Sequence, residues 1–123
     1  MNIVVLAGGY SPERDVSLTS GSLIANALMR SKHKVVLVDL YEGIDVDKED
    51  YQSLFRGDIT YSYKVDDIEP NLEELKKKHN NGNSFVGKNV IEICKFADIV
   101  FVGLHGGMGE NGQIQAMFDV LRN

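Results

Sequence analysis

Cysteine is nearly missing from this 123-residue chain, which has one, Cys94. A single thiol cannot close an intrachain disulfide, and its place within an apolar pattern reads as a buried thiol of a reduced compartment. Long apolar runs are missing too, and those present are far too short to span a bilayer. The opening MNIVVLAGG has neither a basic n-region nor a small-residue cleavage site, so it reads as a strand and not a signal peptide. Basic excess is lacking: 13 Lys and Arg stand against 18 Asp and Glu, for a net charge of −5. That balance argues against nucleic acid as a partner, since phosphates call for a basic face. The chain also lacks both common nucleotide signatures. Its first glycine loop, GGYSPERDVS, does not have G-x-G-x-x-G spacing, and no Gly-Lys-Ser/Thr occurs. Asp39 mimics the ribose-binding acid of a dinucleotide fold, but without the glycine spacing it carries no such reading. There is no internal repeat and no low-complexity tract.

What remains is an ordinary globular composition, 43% apolar and 25% charged, in a chain of one-domain length with enough residues to bury a core. Ile3–Ala7 is a short β-branched run closed by Gly8 and Gly9 and reads as a buried strand. Ser11 is the expected N-cap of a helix, with Pro12 at the first helical position and Glu13 in the first turn. Val16, Ser20, Leu23, Ile24, Ala27 and Leu28 share one face of that helix. Lys34–Leu40 is a second buried strand, so the first forty residues read as a β-α-β unit with a right-handed crossover.

Residues 41–89 are polar, acidic and mixed in period, and read as a variable insertion on the core fold. Within them Ile59, Tyr61, Tyr63 and Val65 alternate as in a half-buried strand. The stretch PNLEELKKKHN pairs Glu73 with Lys77 and Glu74 with Lys78 at i,i+4, which favours a short exposed helix ended by Asn80–Asn83. Order returns with Val90, Ile91, Cys94 and Ala97, a helix packed on a sheet, and with Asp98–Leu104, a third buried strand. A second glycine loop follows at 103–112. Beyond it Ile114, Met117, Phe118 and Leu121 fit an amphipathic helix with Asn111 as its cap. Strands alternating with helices imply a parallel α/β sheet covered on both faces. Both glycine loops follow strands, so both belong at the carboxyl edge, where such sheets bind ligands.

The residues in these loops limit the chemistry. Glu13 is either a favourable partner of a helix dipole or a carboxylate held to receive a cationic amine. His105 follows a strand and precedes two glycines, which lets a ligand approach closely. It is either structural or a hydrogen-bonding group toward that ligand. His105 and Glu110 alone are too few for a metal site. Glu110 precedes the helix cap, where it could simply complement the dipole. His33 and His79 lie in turn-like polar surroundings and are assigned no role.

Taken together, GGYSPERDVSLTSG (Gly8–Gly21) and LHGGMGENGQIQAMFDVL (Leu104–Leu121) resemble the N-terminal domain of the D-alanine–D-alanine ligases. The family patterns are G-G-x-S-x-E-[RY]-[ED]-V-S-x-x-S-(G/A) and L-H-G-x-x-G-E-[DN]-G-x-[IL]-Q-G, in this order and each after a strand, with Ala116 standing at the final glycine of the second. The resemblance implies a Rossmann-like pre-ATP-grasp domain over residues 1–123, with the insertion at about 41–89. It implies part of an ATP-dependent, cytoplasmic, homodimeric ligase of peptidoglycan precursor synthesis that uses ATP and magnesium or manganese, without a membrane anchor. In that reading Glu13 orients the ammonium of the first D-alanine, His105 stands beside it, and Val16 contacts the substrate methyl. Glu110 positions active-site partners from other domains. Ser17 and Gly106 lie in the same loops without a separate role.

Nothing in these 123 residues resembles the ATP-grasp lysines, the magnesium carboxylates or the oxyanion-stabilising arginine. The family continues past FDVL into the nucleotide domains, so an excised domain or a truncated frame is expected, inactive by itself and binding no cofactor. The choice among D-alanine, D-lactate and D-serine as second substrate rests largely on residues beyond this chain. The competing readings are a stand-alone α/β small-molecule binding module and a dimerisation domain.

Overall fold

A computed structural model describes residues 1–63, 72–79 and 86–103. Its centre is a three-stranded parallel sheet of β1 (Asn2–Ala7), β2 (Lys34–Asp39) and β3 (Ile99–Val102), in the order β2-β1-β3. Ile3 stands opposite Val35 on one side and Ile99 on the other. β1 is thus flanked by strands and covered on both faces, which is why it is apolar from Ile3 to Ala7 instead of alternating. Ile3 through Ala7 are at most 4% exposed.

The pleat divides the core in two. Val4, Leu6, Val36 and Val38 point to one face, where Val90, Ile93 and Cys94 of α4 (Val90–Phe96) meet them, along with Tyr51 of the short α2 (Tyr51–Leu54) and Phe55. Ile3, Val5 and Val35 point to the other, against Ala25 and Met29 of α1 (Arg14–Arg30). Helices therefore lie on both faces of a parallel sheet, as the alternation of elements predicts. The expected helix before β3 is α4, and α3 (Leu72–His79) is the predicted charged helix of the insertion. No helix among the described residues is long and apolar enough to cross a membrane.

Four local expectations are corrected. The buried stripe of α1 is Leu18, Gly21, Ser22, Ala25 and Met29, not the stripe built on Val16 and Leu23. Those two side chains are 50% and 66% exposed. The cause is Gly21: a Cβ there would stand 2.9 Å from the Ala7 Cβ and 3.0 Å from Leu37 Cδ1. The helix backbone at Gly21 sits directly on sheet side chains, Ile24 and Leu28 of the expected stripe still pack against the core, and Val16 and Leu23 turn outward.

The α-helix also starts later than expected, at Arg14 with Glu13 in the cap position. Ser11 closes the turn before it: its Oγ accepts the Glu13 N–H at 3.1 Å and its carbonyl accepts the Arg14 N–H at 3.1 Å. Third, Ile59–Tyr63 alternates in burial but forms no strand. Its hydrogen bonds go to a side chain instead: Asn26 Oδ1 accepts from Tyr61 N at 2.8 Å and Asn26 Nδ2 donates to Tyr61 O at 2.9 Å. One amide satisfies one residue of backbone, and no ladder propagates. Last, β3 is not buried. Among the described residues it has a strand on one side only, and Ile99, Phe101 and Val102 are 40–46% exposed.

The turn after β2 is tied to the approach to α4. Gly87 N donates to Leu40 O at 2.7 Å and Ile44 N to Lys88 O at 3.0 Å. Asn89 Nδ2 donates to the carbonyls of Ile44 and Val46 at 2.8 and 2.9 Å. The expected turn at 80–83, Val65 and the expected helix after Asn111 lie outside the described residues.

Cys94 is 4% exposed, and burial, with Glu92 a smaller contributor, pushes its thiol from an ordinary 9.0 up to about 12. Because the folded value lies above the unfolded one, the stability linked to this proton is complete below pH 9.0 and is lost as pH rises toward about 12. A disulfide reagent at pH 8 should therefore label Cys94 only as fast as the chain unfolds, with labelling and urea unfolding sharing one midpoint. Rapid labelling of the native chain would show that the α4 core is open.

Candidate functional site

The carboxyl ends of β1 and β2 are locked together by one carboxylate. After β1 the chain turns through Gly8 and Gly9, both left-handed with φ of +74° and +90°. A Cβ on Gly8 would lie 2.7 Å from the Asp39 carboxyl carbon, so glycine is needed there for its conformation and for space. Asp39 Oδ1 accepts N–H donors from Gly9 at 3.1 Å, Tyr41 at 2.9 Å and Glu42 at 3.3 Å. Its Oδ2 pairs with Arg14 Nη2, while Arg14 Nε donates to Gly9 O at 3.2 Å. The Arg14 and Asp39 side chains are only 8% and 10% exposed. Burial raises the Asp39 carboxyl above the ordinary 3.8, and Arg14 and the Gly9 and Tyr41 N–H groups draw it part of the way back. The Asp39 oxygens are thus engaged within the protein, which is the physical reason it is no ribose acid. Arg14 gave no warning in the sequence, because an arginine in a first helical turn normally reads as a solvated charge.

Glu13 stands on the outer side of this clamp. Its side chain is exposed, and its Oε2 accepts a hydrogen bond from Ser11 Oγ at 2.7 Å. The carboxylate is therefore steered by a neighbour while remaining open to solvent. Val16, one turn along, is 50% exposed. An apolar side chain left in water beside a carboxylate suits a ligand carrying both an ammonium and a small alkyl group.

On the inner side of α1, Tyr63 Oη donates to Asp15 Oδ1 at 2.6 Å, and burial followed by this bond pushes the phenol up to about 12. A cavity of about 280 Å³ lies there, walled by Arg14, Leu18, Leu37, Asp39, Glu42 and Tyr63 among others. Neither Glu13 nor Val16 lines it.

The second loop leaves β3 directly beside the first. Gly103 N donates to Leu6 O at 2.8 Å, and Gly103 O accepts from Ser17 Oγ at 2.6 Å. Ser17 Oγ in turn accepts the Gly8 N–H at 2.9 Å. His105, Gly106 and Glu110 lie outside the described residues, as does any approach of His105 to Glu13. Among the described residues no group of three His, Cys, Asp or Glu side chains is gathered to hold a metal.

The glycine turn after β1 and Gly103 after β3 leave adjacent parallel strands at one carboxyl edge of an α/β domain, the edge at which such sheets commonly bind ligands. The chain belongs to the D-alanine–D-alanine ligase N-terminal family, whose model, described as D-ala D-ala ligase N-terminus, matches residues 2–123. It is 42% identical over 122 residues to a D-alanine–D-alanine ligase of Lacticaseibacillus casei, covering 98% of this chain and 34% of that protein. To the ligase of Pediococcus pentosaceus it is 42% identical over 123 residues, covering 98% and 35%. To that of Halalkalibacterium halodurans it is 31% identical over 121 residues, covering 98% and 25%. The chain spans about a third of the length of the first two relatives.

The clamp is testable by itself. Arg14→Met leaves the Asp39 carboxylate buried without its cation, a change that typically costs about 3–5 kcal/mol. The deficit should shrink on acidification, because a protonated Asp39 needs no counter-charge. Urea unfolding of the variant and the parent at neutral and at mildly acid pH measures both. A small deficit that does not change with pH would show that the pair contributes little.

Proposed function

We propose that this domain is the N-terminal part of an ATP-dependent D-alanine–D-alanine ligase of peptidoglycan precursor synthesis, and that it supplies the subsite for the first D-alanine. The observation that carries the reading is the exposed Glu13 carboxylate, steered by Ser11 and fixed at the carboxyl edge beside an exposed Val16. Glu13 receives the ammonium, Val16 meets the methyl, and His105, neutral, accepts one N–H from the same amine. Glu110 orients partners from the rest of the enzyme. In the complete reaction the first D-alanine's carboxylate oxygen would take the γ-phosphoryl group of ATP, giving an acyl phosphate and releasing ADP with the P–O electron pair; magnesium or manganese, when bound, would neutralise the phosphates. The amine of the second D-alanine attacks that carbonyl, and phosphate leaves with the C–O electron pair. This domain's share is to hold the first amino acid in place while its carboxylate reacts.

The nucleotide is held elsewhere in the longer protein. The described residues at this edge include Glu13, Asp15, Asp39 and Glu42 against Arg14, and Arg14 is already paired with Asp39. A triphosphate would be repelled there. A cytoplasmic location follows from the need for ATP, and a homodimer of the complete ligase belongs to the same proposal.

In the full-length ligase Glu13→Gln removes the charge from one hydrogen bond to an ammonium, a contact of about 1.5–3 kcal/mol, or roughly ten- to a hundredfold in kcat/KM. The KM of the first D-alanine should rise by that order while the KM of ATP stays near its parent value. Equal effects on both, or none, would remove Glu13 from the subsite. The 123-residue chain alone should turn over no ATP and form no dipeptide, since charge neutralisation and positioning of the phosphates carry most of phosphoryl transfer. Its affinity for D-alanine should be millimolar or weaker, on the order of −4 kcal/mol, as isothermal titration would read.

A further inference from the structure

The geometry points to Ser17 as a positioning residue that sets the two ligand loops in register with one another. Ser17 is fully buried, at 0% exposure. Its hydroxyl accepts the Gly8 N–H at 2.9 Å and donates its single proton to Gly103 O at 2.6 Å. Gly8 opens the turn that leads to Glu13, and Gly103 stands two positions before His105 in the sequence. A single oxygen thus bridges two segments that are far apart in sequence, at the point where each leaves its strand. Gly103 N is already held by Leu6 O at 2.8 Å, so the bridge also ties the first turn of α1 to the β1–β3 pair.

The orientation of this side chain is the informative part. A serine or threonine inside a helix commonly bonds back to the carbonyl four residues earlier. Thr19 does so to Asp15 O at 2.9 Å and Ser22 to Leu18 O at 2.8 Å. Ser17 instead turns away from its own helix and spends both its donor and an acceptor on the sheet edge. On the other flank Asp39 and Arg14 hold Gly9 to the end of β2. Between the two anchors, the loop bearing Glu13 keeps little freedom to move relative to β2 or β3. Removing the Ser17 oxygen would strand two backbone groups, and the loops would then recover their bonds by shifting apart or admitting water. An ammonium shared between a group on each loop is sensitive to such a shift, because a misplacement of about 1 Å can cost on the order of a hundredfold.

The inference rests on the proposed subsite, and its test separates the two. Dipeptide formation by the parent full-length protein from ATP and D-alanine tests the subsite reading; an inactive parent protein sinks that reading and with it the kinetic role of Ser17. In an active parent, Ser17→Ala should raise the KM of the first D-alanine about tenfold or more with the KM of ATP changed less than about twofold. Ser22→Ala is the control, since it removes a comparable buried hydroxyl from the same helix and leaves the loops untouched. At matched thermal stability it should leave both KM values at the parent level.

Amide exchange of the 123-residue chain gives a readout independent of activity: Gly8 and Gly103 should lose protection in Ser17→Ala and keep it in Ser22→Ala. If Ser17→Ala does not fold, Ser17→Cys, a weaker donor and acceptor of similar size, should raise the same KM above the parent value by less than about tenfold with the KM of ATP unchanged. Unchanged D-alanine KM in a folded Ser17 variant, or equal effects from the Ser17 and Ser22 variants, overturns the proposal.

Discussion

One buried carboxylate organises the carboxyl edge of this domain. Asp39 ends β2, and its two oxygens accept from three backbone N–H groups and from the Arg14 guanidinium. The four partners serve three requirements. Gly9 fixes the turn after β1, Tyr41 and Glu42 fix the exit from β2, and Arg14 fixes the start of α1. A carboxylate in so dry a place is tolerable only with its lone pairs satisfied and its charge met. Side-chain size at Gly8 follows from this, because any Cβ would enter the space the carboxyl group fills.

The second constraint is the close seating of α1 on the sheet. Gly21, Ser22 and Ala25 let the helix backbone sit close on the sheet, which leaves Val16 and Leu23 outside. The same rotation brings the Ser17 hydroxyl to face Gly8 and Gly103 rather than its own helix. Packing of small residues in the middle of the helix thus decides what its first turn offers. Glu13 and Val16 reach solvent while Arg14 and Ser17 turn inward. Consecutive residues at the start of a helix point in different directions, so one turn both anchors the loop and presents the ligand-facing groups.

The insertion between β2 and α4 shows how irregular sequence is held without regular structure. Asn26 satisfies Tyr61, Asn89 satisfies Ile44 and Val46, and Gly87 satisfies Leu40. Individual polar groups take the place of a ladder, as buried or half-buried backbone requires. The alternation of Ile59, Tyr61 and Tyr63 was legible because those side chains do turn inward. The absence of a strand was not, because pairing depends on what lies alongside. The charged pattern of α3 was legible for the opposite reason: its i,i+4 spacing is a local property of the sequence.

Local and near-neighbour physics was therefore enough for the sequence to determine β1, β2 and β3, their order with α1 and α4, the parallel α/β class, the glycine turn after β1 and the family resemblance. Hydrophobic period and turn chemistry act over a few residues, and the motif spacings are themselves local. The direction in which each polar side chain points was decided only by the tertiary structure. Asp39 was given no role by the sequence and proved to be an internal anchor. Arg14, which no local pattern singles out, is buried. Val16 looked like core and proved exposed, and the bridge from Ser17 to Gly103 spans 86 positions. Each depends on how a helix is rotated on its sheet and which strands become neighbours. Those are outcomes of long-range packing, in which a single glycine contact outweighs the apolar stripe that local periodicity favours.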